Sequence, residues 1–123
     1  MTFHARIGLA ALMFALGLAA FGCGDDDDED EDLPEVECSD GKPEYADVEA
    51  FETCTNCHSS KVEGDDRNGA PTDVNFDTES AAEKHAEKAA EEVYEGAMPP
   101  KDSGYKLTSA EKQTLYEWAL CSD

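Results

Sequence analysis

The chain has 123 residues and a formal charge of −21, which leaves room for one domain at most once its leader is set aside. Such an acid surplus rules against nucleic acid as a partner. With 8% aromatic and 32% charged residues, a core made of side chains alone is thin for this length, so a bound apolar group would supply mass that the sequence lacks.

Residues 1–22 read as a secretory signal of the lipoprotein type. The cation Arg6 is followed by an uncharged apolar run from Ile7 to Phe21, too short for a comfortable membrane span. Ala20-Phe21-Gly22-Cys23 resembles a bacterial lipobox, in which small residues precede a cysteine that is lipidated and becomes the mature N-terminus. Ala20 stands where an aliphatic residue is usual and Phe21 where a small one is, and the alternative is ordinary cleavage nearby with a free Cys23. Without the leader and its Arg6 the net charge is −22. Gly24 after Cys23, by analogy with enteric sorting, favours the outer membrane over the inner one.

Residues 23–37 form a linker. Asp25 to Asp32 is an unbroken run of eight acidic residues, which repel one another and have nothing apolar to bury. The run reads as a solvated tether of about 20 Å average reach, with cation binding or docking as the alternative use.

The folded domain is expected over residues 38–123. Pro43 suits a first helical turn, and Tyr45, Val48 and Phe51 recur on one face, so a helix is expected over 43–53. It leads directly into Cys54-Thr55-Asn56-Cys57-His58. Residues 59–76, with Gly64, Gly69, Pro71 and several Asp and Asn, read as a loop. A second helix is expected over 78–95, with Ser80 and Glu83 at capping-box spacing and Gly96 as its stop. Its apolar stripe is Ala82, Ala86, Ala89 and Val93, while Glu83, Lys84, Glu87, Lys88, Glu91 and Glu92 are expected to face solvent. Met98-Pro99-Pro100 then forms a stiff extended loop. Thr108 and Glu111 make another capping box, opening a third helix with Leu115, Trp118 and Ala119 on one side and ending at Cys121.

Two cysteines three apart followed at once by histidine is the attachment pattern of c-type haem. The thiols add to the porphyrin vinyl groups and the adjacent imidazole becomes an axial iron ligand. Three other readings are open: half of a zinc site completed by Cys38 and Cys121 or by His58 and His85, a thioredoxin-like dithiol, which would need a strand-rich context that this chain does not show, and a chance match in a chain without haem. Met98 is the only methionine after the leader. A lone methionine is ordinarily a gap-filler, but a proline-fixed position about forty residues beyond His58 suits a sixth iron ligand. His85 is the rival for that place. With Cys23 assigned to lipid and Cys54 and Cys57 to haem, Cys38 and Cys121 remain as an even pair, either a disulfide in an oxidising compartment or two free thiols.

Taken together, these residues resemble the class I c-type cytochromes of the small monohaem kind, with a Met-Pro-Pro ligand loop and a short C-terminal helix. The resemblance covers about Tyr45 to Cys121. It implies an all-α cytochrome c-like fold, three main helices around one covalent haem with N- and C-terminal helices crossing. It implies that Cys54 and Cys57 hold haem c, that His58 is the proximal and Met98 the distal iron ligand, and that the Pro71 carbonyl braces the other imidazole nitrogen of His58. The family often has an aromatic four residues before the first haem cysteine and a glycine four further back; here those places hold Ala50 and Ala46, with Phe51 shifted by one. Trp118 is expected against the first helix or the haem edge, and Tyr105 either donates to a haem propionate or is a plain loop tyrosine.

The resulting expectation is a monomeric electron carrier, not an enzyme, exported and held by a lipid anchor facing the periplasm or the cell surface. From Leu33 onward the chain carries 22 acidic and 8 basic residues, net −14, which would steer it toward redox proteins with a basic docking patch at rates that fall as salt rises. The alternative function is a haem-based sensor or haem enzyme with an open or displaceable sixth position.

Overall fold

The computed structural model describes residues 33–122; the signal, Cys23 and the acidic run that ends at Asp32 lie outside the described residues. Among the described residues every regular element is helical. In chain order these are α1 (Ala50–Cys54), α2 (Glu79–Ala82), α3 (Ala86–Tyr94) and α4 (Ser109–Leu120), with 3-10 turns at Tyr45–Asp47, Gly64–Arg67 and Glu83–His85. α3 packs most extensively on α4, and α4 also meets α1.

The first expected helix is split. A 3-10 turn at Tyr45–Asp47 is followed by a non-helical Val48 with φ −86° and ψ 83°, and α1 begins at Ala50. The reason lies in the aromatic side chains. Tyr45 stacks on Phe51 with centroids 5.0 Å apart, yet six residues of unbroken helix would set them about 120° apart around the axis. The break at Val48 brings both to one face, and Tyr45 Oη donates to the Phe76 carbonyl at 2.6 Å.

The second expected helix is also divided, by the 3-10 turn Glu83–His85. Its N-cap is Thr78, whose side chain accepts from the Ala81 N–H, and not Ser80, which lies inside α2. Asp77 has its carboxylate on the Ser60 N–H at 2.7 Å, so Thr78 is the next residue able to cap. The 3-10 turn rotates α3 relative to α2. Ala90 is therefore fully buried, and Glu91, expected in solvent, is only 4% exposed, with the Lys88 ammonium 2.6 Å from its carboxylate. Gly96 ends this segment at φ +77°, a left-handed conformation that glycine adopts without steric cost.

α4 follows its sequence closely. Thr108 accepts from the Glu111 N–H while the Glu111 carboxylate accepts from the Thr108 N–H at 2.6 Å, a complete capping box. Leu115 and Trp118 on this helix are the largest fully buried side chains. Trp118 meets Phe51 edge-on at 5.0 Å, and Phe51 stacks on Phe76 at 5.6 Å, so three aromatic rings from α1, the following loop and α4 make one contact chain through the core. Ala50, 0% exposed, lies in that core.

Cys38 and Cys121 are joined, with Cα atoms 5.5 Å apart and a sequence separation of 83. Closing a loop of that length removes about 4 to 5 kcal/mol of unfolded-chain entropy on the polymer estimate. The bond fastens the start of the domain to the end of α4.

Candidate functional site

The motif grows directly out of α1. Cys54 is the last residue of the helix, the Thr55 N–H donates to the Phe51 carbonyl, and the Cys57 and His58 N–H groups both donate to the Cys54 carbonyl at 3.2 and 2.8 Å. Asn56 folds back on the helix end, its side-chain amide donating to the Glu52 and Thr53 carbonyls. One tight turn therefore places Cys54, Cys57 and His58 on the wall of the same cavity.

That cavity has a volume of about 370 Å³, within the range of small-molecule and cofactor sites. Besides the motif it is lined by Val74, Phe76, Ala89, Val93 and Leu107, with Met98, Pro99 and Pro100 also on its wall. The structure thus brings together Cys54, Cys57, His58, Pro71 and Met98 in a single apolar chamber. Arg67, Lys88 and Glu92 contribute to its wall as charged residues.

His58 is held by one ring nitrogen. Its Nδ1 lies 3.2 Å from the Val74 carbonyl oxygen, which can only accept, so Nδ1 carries the proton and Nε2 keeps its lone pair. Nε2 has no hydrogen bond among the described residues. Burial holds the His58 pKa below the ordinary histidine range, helped by the Arg67 charge and by His85 and opposed by the Val74 bond. The ring is consequently neutral at physiological pH, the form that ligates metals.

The bracing carbonyl differs from the expected one. It belongs to Val74, three residues beyond Pro71. The Pro71 carbonyl is instead occupied by Arg67 Nη2, so Pro71 lines the cavity without touching the imidazole nitrogen.

Arg67 escaped sequence reading. It is 4% exposed and spends every N–H on the loop around it. Nε donates to the Ala70 carbonyl at 3.0 Å, and Nη1 to the Ser59 and Val62 carbonyls at 2.6 and 3.2 Å. Nη2 donates to Pro71 and, at 3.1 Å, to Val74. Both terminal nitrogens also reach Asn75 Oδ1 at 3.2 Å. A signal existed: Arg67 is the sole arginine after the leader, beside seven lysines, and a rigid five-donor fork suits a buried multi-acceptor role where lysine does not.

Cys54 and Cys57 are free thiols, both partly buried. Burial pushes the Cys54 thiol up to about 11, a backbone hydrogen bond opposing and the Cys57 thiol adding to the rise. Cys38 and Cys121 are bonded to each other, and among the described residues no group of three or more His, Cys, Asp and Glu side chains is placed to hold a metal.

His85 also lines the cavity, but its Nε2 lies 3.3 Å from the Asp73 carbonyl, beside the loop residue that braces His58. Met98 is fixed from the other direction: its N–H and that of Ala97 both donate to the Glu92 carbonyl at 2.9 Å, tying it to the end of α3. Tyr105 lines the cavity and is 43% exposed, while Trp118 belongs to the core described above.

This set of groups suits a haem. Paired thiols one turn apart, an imidazole with a free Nε2, apolar walls and a thioether are what covalent attachment and His/Met ligation require. Comparison with known protein families, with curated proteins and with solved structures finds no match.

Proposed function

We propose that this chain is a monohaem c-type cytochrome of the class I kind, an electron carrier with haem c attached through Cys54 and Cys57 and iron held by His58 and Met98. The observation that carries the reading is the convergence of the Cys54-to-His58 turn and Met98 on one apolar cavity, with His58 already in its ligating tautomer. Bound haem would supply reversible one-electron chemistry at iron.

The chain's residues set the terms of that chemistry. Val74 fixes the plane of the imidazole and raises its basicity. Met98, a soft thioether, favours the reduced state and leaves no open position for substrate. Val74, Phe76, Val93 and Leu107 line the cavity and would exclude water from a bound haem. The acid surplus of the domain favours a basic docking partner, and the signal-like leader with Cys23 supports a carrier held at a membrane outside the cytoplasm.

Two measurements on the matured protein test this. A denaturing gel stained for haem peroxidase activity should show covalent haem, lost in Cys54→Ser with Cys57→Ser; an unstained wild-type band overturns the reading. The oxidised protein should show the weak long-wavelength absorption band of methionine-ligated iron, lost in Met98→Ala and kept in His85→Ala. A wild-type protein without that band that binds carbon monoxide when reduced would instead be a haem sensor or enzyme with an open position.

A further inference from the structure

The loop that braces His58 contains a buried cation that forms no ion pair among the described residues. Arg67 is 4% exposed, and all six groups that accept from it are neutral: five backbone carbonyls and the Asn75 amide oxygen. No carboxylate forms an ion pair with it among the described residues. Isolating a charge in this way is costly, and loop closure alone does not require one, since polar neutral side chains can also bridge carbonyls. The position of the charge is the informative part. Arg67 Nη2 and His58 Nδ1 donate to the same oxygen, that of Val74, at 3.1 and 3.2 Å, and Arg67 lines the cavity.

Building on the haem reading above, we propose that Arg67 is a positioning residue that also raises the reduction potential of the iron site, through its buried charge and its claim on the Val74 carbonyl. Both effects have the same sign. The oxidised site carries one more positive charge than the reduced site, so a fixed buried cation disfavours it, the more so in a low-dielectric wall. A carbonyl shared between two donors accepts less strongly from each, so the imidazole gains less electron density and stabilises oxidised iron less. Arg67 has no N–H left for a haem propionate, so its influence runs through the field and through His58.

Asn75 allows the charge to be tested without dismantling the network. In Asn75→Asp a carboxylate replaces the amide oxygen already 3.2 Å from both guanidinium nitrogens, so Arg67 stays in place but is neutralised. Redox titration of the haem-loaded protein at fixed ambient potential should show the reduced-to-oxidised ratio falling about tenfold in Asn75→Asp, equivalent to about 59 mV for one electron. Arg67→Gln should fall at least as far, while Arg67→Lys, which keeps the charge, stays within about threefold of wild type. The long-wavelength band must persist in each variant, showing that His58 and Met98 still ligate.

A purely structural Arg67 predicts the opposite: variants less resistant to urea but with unchanged potentials. An Asn75→Asp ratio within twofold of wild type, with the band intact, overturns this proposal and leaves the cytochrome reading standing. If Arg67→Gln does not fold, Asn75→Asp decides alone. Absence of covalent haem from the wild type overturns both.

Discussion

Between Ser59 and Phe76 the chain wraps around a guanidinium, and its hydrogen bonds span long separations: Ser60 to Asp77, His58 to Val74, the Phe76 N–H to the His58 carbonyl at 2.9 Å, and Tyr45 to Phe76. Between Gly96 and Leu107 the hydrogen bonds among the described residues are local. They tie Gly96, Ala97 and Met98 to the last turn of α3, Ser103 to the Pro100 carbonyl and the Tyr105 N–H to Ser103. The first loop is cross-linked by polar contacts to parts of the chain on both sides of it; the second is a strap stiffened by prolines and seated by Met98 and Leu107 against the core. Loss of one contact in the first is therefore expected to disturb many others, and the second is expected to open more independently. If the site holds haem as proposed, this contrast would keep the histidine side in one geometry and let the methionine side yield first.

The difference can be broken most severely at Arg67. Arg67→Ala strips several buried carbonyls of their donor at once and should cost about 3 to 5 kcal/mol in urea unfolding. A loss below about 1 kcal/mol would mean that water replaces the guanidinium and that the network is not what orders the loop.

Gly96→Ala probes the strap. A Cβ at Gly96 meets no atom within 4 Å, so the whole effect comes from the left-handed backbone, and stability should fall by about 1 kcal/mol. In the haem-loaded protein the methionine band should weaken more readily on mild heating, while the His58 side stays ordered. Equal loosening of both sides would contradict the division drawn here.

Acid gives the smallest and most discriminating effect. Burial alone would raise the Asp77 pKa, but hydrogen bonds from Ser59 and from Ser60, backbone and side chain, with Lys61 nearby, outweigh it and hold the carboxyl below its ordinary value. A carboxylate depressed by folding contributes stability that is complete above its unfolded pKa and is lost as pH falls through the folded one, here below about pH 4. Glu111 is depressed in the same direction by the backbone and side chain of Thr108. Asp77→Asn should flatten the acid limb of the stability curve and speed amide exchange at Ser60, whereas Glu111→Gln should flatten it while affecting only the first turn of α4. Identical exchange patterns in the two variants would show that Asp77 does not close the first loop.

These contrasts also explain what was legible in the sequence. The Cys54-to-His58 turn, the Thr108 and Glu111 capping box and the Gly96 stop are short-range patterns whose geometry follows from spacing alone, and each takes the expected local form. Counting left Cys38 and Cys121 as either a disulfide or two free thiols, and the folded chain brings them into a bond. The unbroken helices over 43–53 and 78–95 did not appear, because contacts distant in sequence interrupt them: Tyr45 to Phe76 in one case and His85 to Asp73 in the other. Glu91 was misplaced for the same reason, since its burial depends on a helical rotation introduced at the 3-10 turn. Arg67 sits among Asp65, Asp66 and Asn68, where a charged residue reads as solvated. Only the folded loop reveals that its partners are carbonyls.

The bond between Cys38 and Cys121 has a topological consequence. It turns residues 38–121 into a covalent ring in which both loops and all four helices are enclosed. A protease that cuts once anywhere in that ring releases nothing: the nicked chain keeps its mass on a non-reducing gel, and Cys54, His58 and Met98 remain parts of one molecule. A single scission in the ring therefore leaves every residue of the proposed site joined to the rest.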